Sequence, residues 1–404
     1  MTHGMQRRLP VHPRLAQLEQ EAADLVVAGA PAGLDSAKLS IARDYGAHDW
    51  HRLELACRLV DAIWADDLET VQALMRQHPE LLHEDTLVRK SNWVRPMSYA
   101  ANLGRDRIIA FLHDLGATDH EFALDRAVLQ GRIATARMLH ESAGRPAPNA
   151  EALGSPAYTL SVPGTEFLLE LGAPVVDANG RGTAPVHLVL ESDSRNPEAK
   201  HAILEMYAQH GYPFPDTPMM ALHRGRVDLL EAHLRRDPLL LSRTFRFTDI
   251  FPPELGCHDE DFPRTTLDGV TLLHACVDFA ELEIARWLLD RGMNVDSPAA
   301  TDADGFGGHT ALFHAVVCYA NFWGNHHGGL DDAPFASLLL ERGADPNARA
   351  SLRATYTINY QVDNLPGSIE ARDVTPVGWG RVFGYRMVVS EAAMRLIEER
   401  GGHA

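Results

Sequence analysis

The 404-residue chain has few cysteines, few aromatic residues and little positive charge relative to negative charge. Its cysteines, Cys57, Cys257, Cys276 and Cys318, are far apart and form no C-x-x-C pair, so the sequence predicts neither a disulfide framework nor a zinc finger. Lys and Arg number 37 against 55 Asp and Glu, which gives a formal net charge of −18. Because nucleic-acid affinity depends mainly on clustered Lys and Arg, we expect no nucleic-acid partner.

Long apolar runs are also missing. No stretch approaches the roughly 18 uncharged apolar residues of a membrane-spanning helix. The N-terminal sequence MTHGMQRRLPVHPRLAQ has no apolar signal core and no small-residue cleavage site. We therefore expect no membrane partner and a cytoplasmic location. With 45% hydrophobic and 23% charged residues, the composition is that of a folded protein.

What the sequence does contain is a repeated pattern. Residues 271–297 read TLLHACVDFAELEIARWLLDRGMNVDS, in which leucines recur at helical spacing before a glycine. Residues 95–117, RPMSYAANLGRDRIIAFLHDLGA, keep the same interval of 21 residues from the first position to the glycine. Residues 309–317 and 335–348 together form another copy, whose corresponding interval is 33. Each copy predicts two short helices with one apolar face, which only a stacked neighbour can bury.

These segments resemble the ankyrin-repeat family, whose T-P-L-H and E-I-V-x-L-L-L-x-x-G-A-D motifs they match in register. The resemblance implies an all-α solenoid of stacked helix-turn-helix units with finger loops. It divides the chain into a helical N-terminal cap at 1–53 and an array of about nine units at 54–404. The cap is similar to the helical preface of many bacterial ankyrin proteins, and residues 36–56 predict one helix capped at Asp35-Ser36.

Three segments depart from the repeat: 242–269, 318–334 and 349–374. Loops inserted into a solenoid often make its binding site, so these insertions are the candidate functional region. The first and third lie between repeats and are expected to meet over the groove on the finger side. The second falls between the two helices of one repeat and is expected to emerge at their other end.

Histidines and carboxylates in and beside the insertions allow two chemical hypotheses. In one, His309 with Asp304 or Asp261 performs general acid-base chemistry on a small molecule. His314 joins these catalytic candidates because Phe313 takes the histidine position of the repeat and displaces it by one residue. By contrast, His274 falls on the family's histidine position, where it is expected to hydrogen-bond backbone.

In the other hypothesis, a divalent metal activates water. Its ligands would be His258, Asp259, Asp261, Asp302, Asp304 and His309. No H-E-x-x-H or D-x-D-x-D-G spacing is present, so no cofactor is predicted and a divalent metal stays an open alternative. The glycines of GFGGH (305–309) do not follow a strand in a βαβ unit and do not predict nucleotide binding.

The default function is a protein-interaction scaffold that binds its partner through the concave groove and finger loops. The acidic charge favours a basic partner. Candidate binding residues are Phe306, Trp323, Tyr356, Tyr360, Asp302 and His258. The alternative is an enzyme or small-molecule binder with a His/Asp-lined pocket built by the insertions.

Overall fold

A computed structural model describes residues 7–29, 33–88, 93–258, 263–355 and 367–404. The chain divides into two compact units. Unit 1 runs up to Pro156 and includes Ser161–Ala173. Unit 2 comprises Ala157–Leu160 and Pro174–Ala404.

Unit 1 consists of helices that follow one another in pairs. The helices are Leu15–Val27 (α1), Leu34–Asp44 (α2), Trp50–Trp64 (α3), Leu68–Gln77 (α4), Pro96–Leu103 (α5), Asp106–Asp114 (α6), His120–Leu129 (α7), Ile133–Ser142 (α8) and Val162–Glu170 (α10), with the short helix Gly154–Tyr158 (α9) at the boundary of the units. First helices pack side by side, α3 on α5 and α5 on α7, while α4, α6 and α8 pack on their own first helices. This is the stacking that the one-sided apolar faces require.

The N-terminal region differs from its prediction in one respect. Instead of one helix over 36–56, the chain forms α2 and α3. Gly46, at φ +81°, stops the first of them in a conformation that costs glycine little. Asp49 then caps α3 by accepting a hydrogen bond from the Arg52 amide (2.8 Å). The break allows both helices to pack on neighbours.

Unit 2 continues the helix pairs and adds two strands. Its helices are Val186–Glu191 (α11), Pro197–Gln209 (α12), Pro218–His223 (α13), Val227–Arg236 (α14), Phe247–Ile250 (α15), Leu272–Asp278 (α16), Leu282–Asp290 (α17), Ala311–Val316 (α18), Ala320–His326 (α19), Pro334–Glu341 (α20), Pro376–Val382 (α21) and Glu391–Glu399 (α22), and its strands are Ala350–Thr355 (β1) and Ser368–Val374 (β2). Helix α16 packs on α18, and α18 packs on α21. The predicted architecture of repeated helix pairs is confirmed.

Threonine-proline pairs start two of these first helices, α13 and α21, as the repeat pattern predicts. Thr217 accepts a hydrogen bond from the Met220 amide (3.1 Å) and Thr375 accepts one from the Gly378 amide (3.0 Å). The proline that follows each threonine occupies the first turn, where no amide hydrogen is needed.

The turn between the two helices of a pair requires a left-handed residue. Gly104, Gly131 and Gly225 fill this position with φ between +65° and +69°. In the repeat at 271–297 the position is taken by Ala280, at φ +61°. In this conformation the Cβ atom of alanine crowds the backbone, whereas glycine has no Cβ. The backbone of the repeat at 271–297 is therefore strained at Ala280.

The insertions contain more regular structure than the sequence indicates. The second forms helix α19, whose Asn325 side chain donates to the carbonyls of Met387 (2.9 Å) and Val389 (2.8 Å). The third forms an antiparallel hairpin, with Leu352 opposite Ala371 and Thr355 opposite Ser368. Both were expected to be irregular loops. Their regularity depends on partners elsewhere in the chain, which local sequence patterns do not reveal.

Within the described residues, no helix combines the length and the apolar character needed to cross a membrane. The helices are short, and even α3 has only 15 residues. Some of them, such as α16 and α18, are buried on all sides by their neighbours.

Candidate functional site

A cavity of about 840 Å³ lies in unit 2 between the first and third insertions. Both segments expected to meet on the finger side do so here. The lining residues are Arg246, Phe247, Thr248, Arg264, Thr266, Leu267, Asp268, Arg353, Ala354, Thr355, Ser368, Ile369 and Glu370. Arginines, hydroxyl groups and two carboxylates make this surface mainly polar.

Hydrogen bonds fix the first insertion in two places. Phe245 and Val270 exchange backbone hydrogen bonds of 2.7 and 3.1 Å, which closes the segment at its base. Thr265 donates its hydroxyl to the Val317 carbonyl (2.7 Å) and accepts a hydrogen bond from Trp379 Nε1 (3.0 Å). Trp379 is completely buried, so the wall at 264–268 is attached directly to the core of unit 2.

Arg264 lines the cavity from a buried position, with only 5% of its surface exposed. Its Nη1 lies 3.5 Å from Asp278 Oδ2, and its guanidinium lies over the Phe251 ring at 5.6 Å. Arg195 approaches the same Asp278 oxygen at 3.3 Å. Burial lowers the pKa of Arg264 and the Asp278 carboxylate opposes this shift, but an arginine keeps its charge in either case. Asp278 and Phe251 therefore hold the Arg264 guanidinium in place.

Arg353 lies on β1 and connects the hairpin to the finger that precedes α18. It donates to Asp302 Oδ2 (2.7 Å) and Asp304 Oδ2 (3.2 Å). Phe306 lies beneath it and is only 6% exposed, with the guanidinium carbons of Arg353 and Arg372 at 5.1 and 4.2 Å from its ring centre. Asp302, Asp304 and Phe306 thus attach the hairpin to the finger.

Asp302 also organises the finger itself. Its Oδ1 accepts hydrogen bonds from the amides of Asp304 and Phe306, both at 2.9 Å. These bonds, the one from Phe306 above all, lower the pKa of Asp302, and the charge of Arg353 acts in the same direction. Gly307, at φ +120°, has no room for a side chain, because a Cβ would lie 2.0 Å from the Ala300 carbonyl oxygen. Glycine is therefore needed in GFGGH for backbone packing.

The catalytic candidates His309 and His314 are both completely buried. Their Nε2 atoms lie 3.2 Å apart, and both rings contact the ring of His274. Burial is the main reason that the pKa of both imidazoles lies well below the ordinary value. Electrostatic repulsion from a neighbouring histidine lowers the pKa further, from His314 for His309 and from His274 for His314. The hypothesised pair of His309 with Asp304 is not formed, since Asp304 lies on the exposed finger with Arg353.

His274 has the structural role expected for its position. Its Nδ1 accepts hydrogen bonds from the Thr271 amide (3.3 Å) and hydroxyl (2.8 Å), which leaves the proton on Nε2. That Nε2 group donates to the His309 carbonyl (2.9 Å) and so connects α16 to the next finger. Burial lowers the pKa of His274 to about 4.

The remaining candidates lie apart from this cluster or outside the described residues. His258 is exposed, and its amide donates to Glu191 while its ring approaches that of His187 at 6.2 Å. Trp323 belongs to α19 and stacks on His327 at 5.1 Å. Asp259, Asp261, Tyr356 and Tyr360 fall outside the residues that the structure describes.

No group of three or more His, Cys, Asp or Glu residues suited to a metal ion is found within the described part of the chain. Of the six hypothesised ligands, Asp302 and Asp304 pair with Arg353, His309 is buried with His314, and His258 lies near His187. The described residues thus provide no ligand set that favours the metal hypothesis.

The sequence patterns did not indicate the three arginines of the cavity, Arg246, Arg264 and Arg353. The first insertion contains Arg243, Arg246 and Arg264, the third contains Arg349, Arg353 and Arg372, and no motif distinguishes the cavity arginines from the others. The available signal was that these insertions carry arginines in a strongly acidic chain. Only the tertiary arrangement brings the three to one surface.

The fold and site define a helical repeat protein with an elaborated C-terminal region. The family model of the ankyrin repeat matches residues 268–302, the segment that contains α16, α17 and the following finger. Residues 268–302 therefore form an ankyrin repeat.

A similar solved structure is the ankyrin repeat domain of Bcl-3, described as a unique member of the IkappaB protein family. It is 16% identical, the match covers 68% of this chain and 97% of that one, and the TM-score is 0.23. No curated protein matches the chain.

Proposed function

We propose that this protein is an interaction scaffold that binds a protein partner on the surface formed by the first insertion, the hairpin β1–β2 and the finger at 299–309. Ankyrin repeats generally serve as interaction scaffolds. The observation that carries the proposal is the cavity itself, because two segments that the repeat fold does not need line it together, and each is fixed to other parts of unit 2 by hydrogen bonds.

The attachments of these segments favour a preformed surface. Arg353 connects hairpin and finger, and Thr265 connects the first insertion to Trp379. A surface fixed before binding loses little conformational entropy when the partner arrives. The exposed residues Thr248, Thr355 and Ser368 then remain available for the partner at its rim.

The enzymatic alternative receives no comparable support. His309 and His314 are enclosed, so a substrate has no direct access to their ring nitrogens. Their depressed pKa values follow first from burial, which is the usual condition of a packed core histidine.

The cysteines favour a reducing compartment such as the cytoplasm for this scaffold. Cys57, Cys257, Cys276 and Cys318 are all free and buried. Burial raises the pKa of Cys57 and Cys257 to about 12, which keeps both thiols protonated and unreactive. Free thiols without disulfides are typical of intracellular proteins.

Site-specific crosslinking tests the proposed surface. A photoreactive phenylalanine analogue is placed at Thr355 or Ser368 on the cavity rim, and at exposed Glu341 at the end of α20 as the control. In a lysate of the source cells, the rim positions are expected to capture a common protein that excess unlabelled chain displaces. Equal capture of that protein at Glu341, or no displaceable product at the rim, would contradict the proposal.

A further inference from the structure

We propose that the cavity between the first insertion and the hairpin binds an acidic peptide segment, whose Asp or Glu carboxylates pair with Arg246, Arg264 and Arg353. The inference rests on the proposed function, since it names the chemistry of the partner at the same surface. An acidic partner differs from the basic partner that the net charge of −18 favours.

Three arginines line the cavity, two from the first insertion and one from the hairpin. Arg264 is held by Asp278, and Arg353 is held by Asp302 and Asp304. Exposed Arg246 lies at the start of α15, where its backbone amide donates to Asp249 Oδ2 (2.8 Å). Planar guanidinium groups held in place are suited to carboxylates, which they bind through paired, charge-assisted hydrogen bonds.

Hydroxyl groups and apolar side chains complete the lining. Four hydroxyl groups can donate hydrogen bonds to the carboxylates and carbonyls of a peptide. They belong to Thr248, Thr266, Thr355 and Ser368. Phe247, Leu267 and Ile369 provide the apolar contacts that a peptide backbone and its aliphatic side chains require. The lining therefore fits an extended polar chain with acidic groups.

The size of the cavity favours a peptide over an inorganic anion. A water molecule occupies about 30 Å³ in the liquid, so the space of about 840 Å³ is far larger than phosphate or sulfate needs. An ion of that size would contact only one part of the wall. A peptide segment of several residues is large enough to extend along the lining.

The two carboxylates of the lining have different roles. Asp268 Oδ1 accepts a hydrogen bond from the Phe247 amide (2.9 Å), so it holds the first insertion in shape. Glu370 is exposed on β2 and contributes negative charge to the cavity. Glu370 should therefore oppose an acidic ligand, and removing its charge should strengthen binding.

Fluorescence anisotropy with a labelled, amidated hexaglutamate peptide tests the inference on the full chain at low salt. Arg246→Gln is expected to weaken binding by about five- to tenfold, and Glu370→Gln is expected to strengthen it by about twofold. The matched control is Arg243→Gln, which removes an equal charge from an exposed arginine paired with Asp237 outside the lining, and it should change the affinity by less than about twofold.

Several outcomes would overturn the inference. One is failure of the wild-type chain to bind hexaglutamate, and another is equal weakening by the Arg243 and Arg246 variants, which would indicate diffuse attraction. Displacement of the peptide by inorganic phosphate at equal concentration would assign the site to a small anion. If rim crosslinking captures a protein while hexaglutamate does not bind, the scaffold stands and only the acidic class of partner is wrong.

Discussion

Acidification from pH 7 to pH 5 should destabilise unit 2 through its buried histidines, and His274 allows the effect to be worked out. Its folded pKa is about 4, because the ring is fully buried and its Nδ1 already accepts hydrogen bonds from Thr271. An imidazole in the unfolded chain titrates near about 6.5. As the pH falls below that value, the unfolded chain takes up a proton that the folded chain does not.

The sign and size follow from this difference. The contribution of His274 to stability is fully present above about pH 6.5, declines as the pH falls toward about 4, and is constant below that. With these two pKa values, the free energy of unfolding should fall by about 2 kcal/mol between pH 7 and pH 5 from His274 alone. His309, His314 and His223, whose pKa values are also lowered by burial, add to the decline.

Urea unfolding of the full chain at pH 7 and pH 5, with and without His274→Gln, measures this contribution. The fall in unfolding free energy should be about 2 kcal/mol smaller in the variant than in the wild type. Exposed His210 provides the control, since His210→Gln should retain the full wild-type dependence. A fall that is the same in the wild type and in His274→Gln would refute the reasoning.

Further predictions concern the backbone and the core of unit 2. Ala280→Gly should raise the free energy of unfolding by about 0.5–1 kcal/mol, because it relieves the positive φ of +61°; a destabilised variant in urea unfolding would contradict this. Gly307→Ala should lower it by more than about 2 kcal/mol, because the new Cβ meets the Ala300 carbonyl; thermal unfolding at an unchanged midpoint would count against the geometry. Trp379→Phe and Thr265→Val should show a coupling of about 1 kcal/mol in a double-mutant cycle, and additive effects would mean that their hydrogen bond contributes nothing.

The repeat fold could be predicted because its causes are local. The helix pair at 271–297 follows from leucines at helical spacing, a threonine at the helix start and a glycine after the second helix. The hydrogen bond of His274 to the next finger was likewise expected from its position and is confirmed. The Thr-Pro starts of α13 and α21 belong to the same class, since capping depends on neighbouring residues.

The candidate site could be predicted only in part. The meeting of the first and third insertions followed from their place between repeats, but the residues that matter there were not foreseen. Asp302, Asp304 and Phe306 were expected to face a ligand, whereas they attach the finger to Arg353 and Arg372. His314 was a catalytic candidate because it is displaced by one residue from the histidine position of the repeat, and it lies in the core beside His309.

The sequence by itself determined the ankyrin-repeat architecture and where the chain departs from it, because helix spacing, caps and left-handed turns act over a few residues. Only the tertiary structure decided that Arg246, Arg264 and Arg353 share one cavity and that His309 and His314 lie in the core. These facts depend on how distant segments pack and exclude water. Burial changes the chemistry of a side chain, and a linear pattern does not record it.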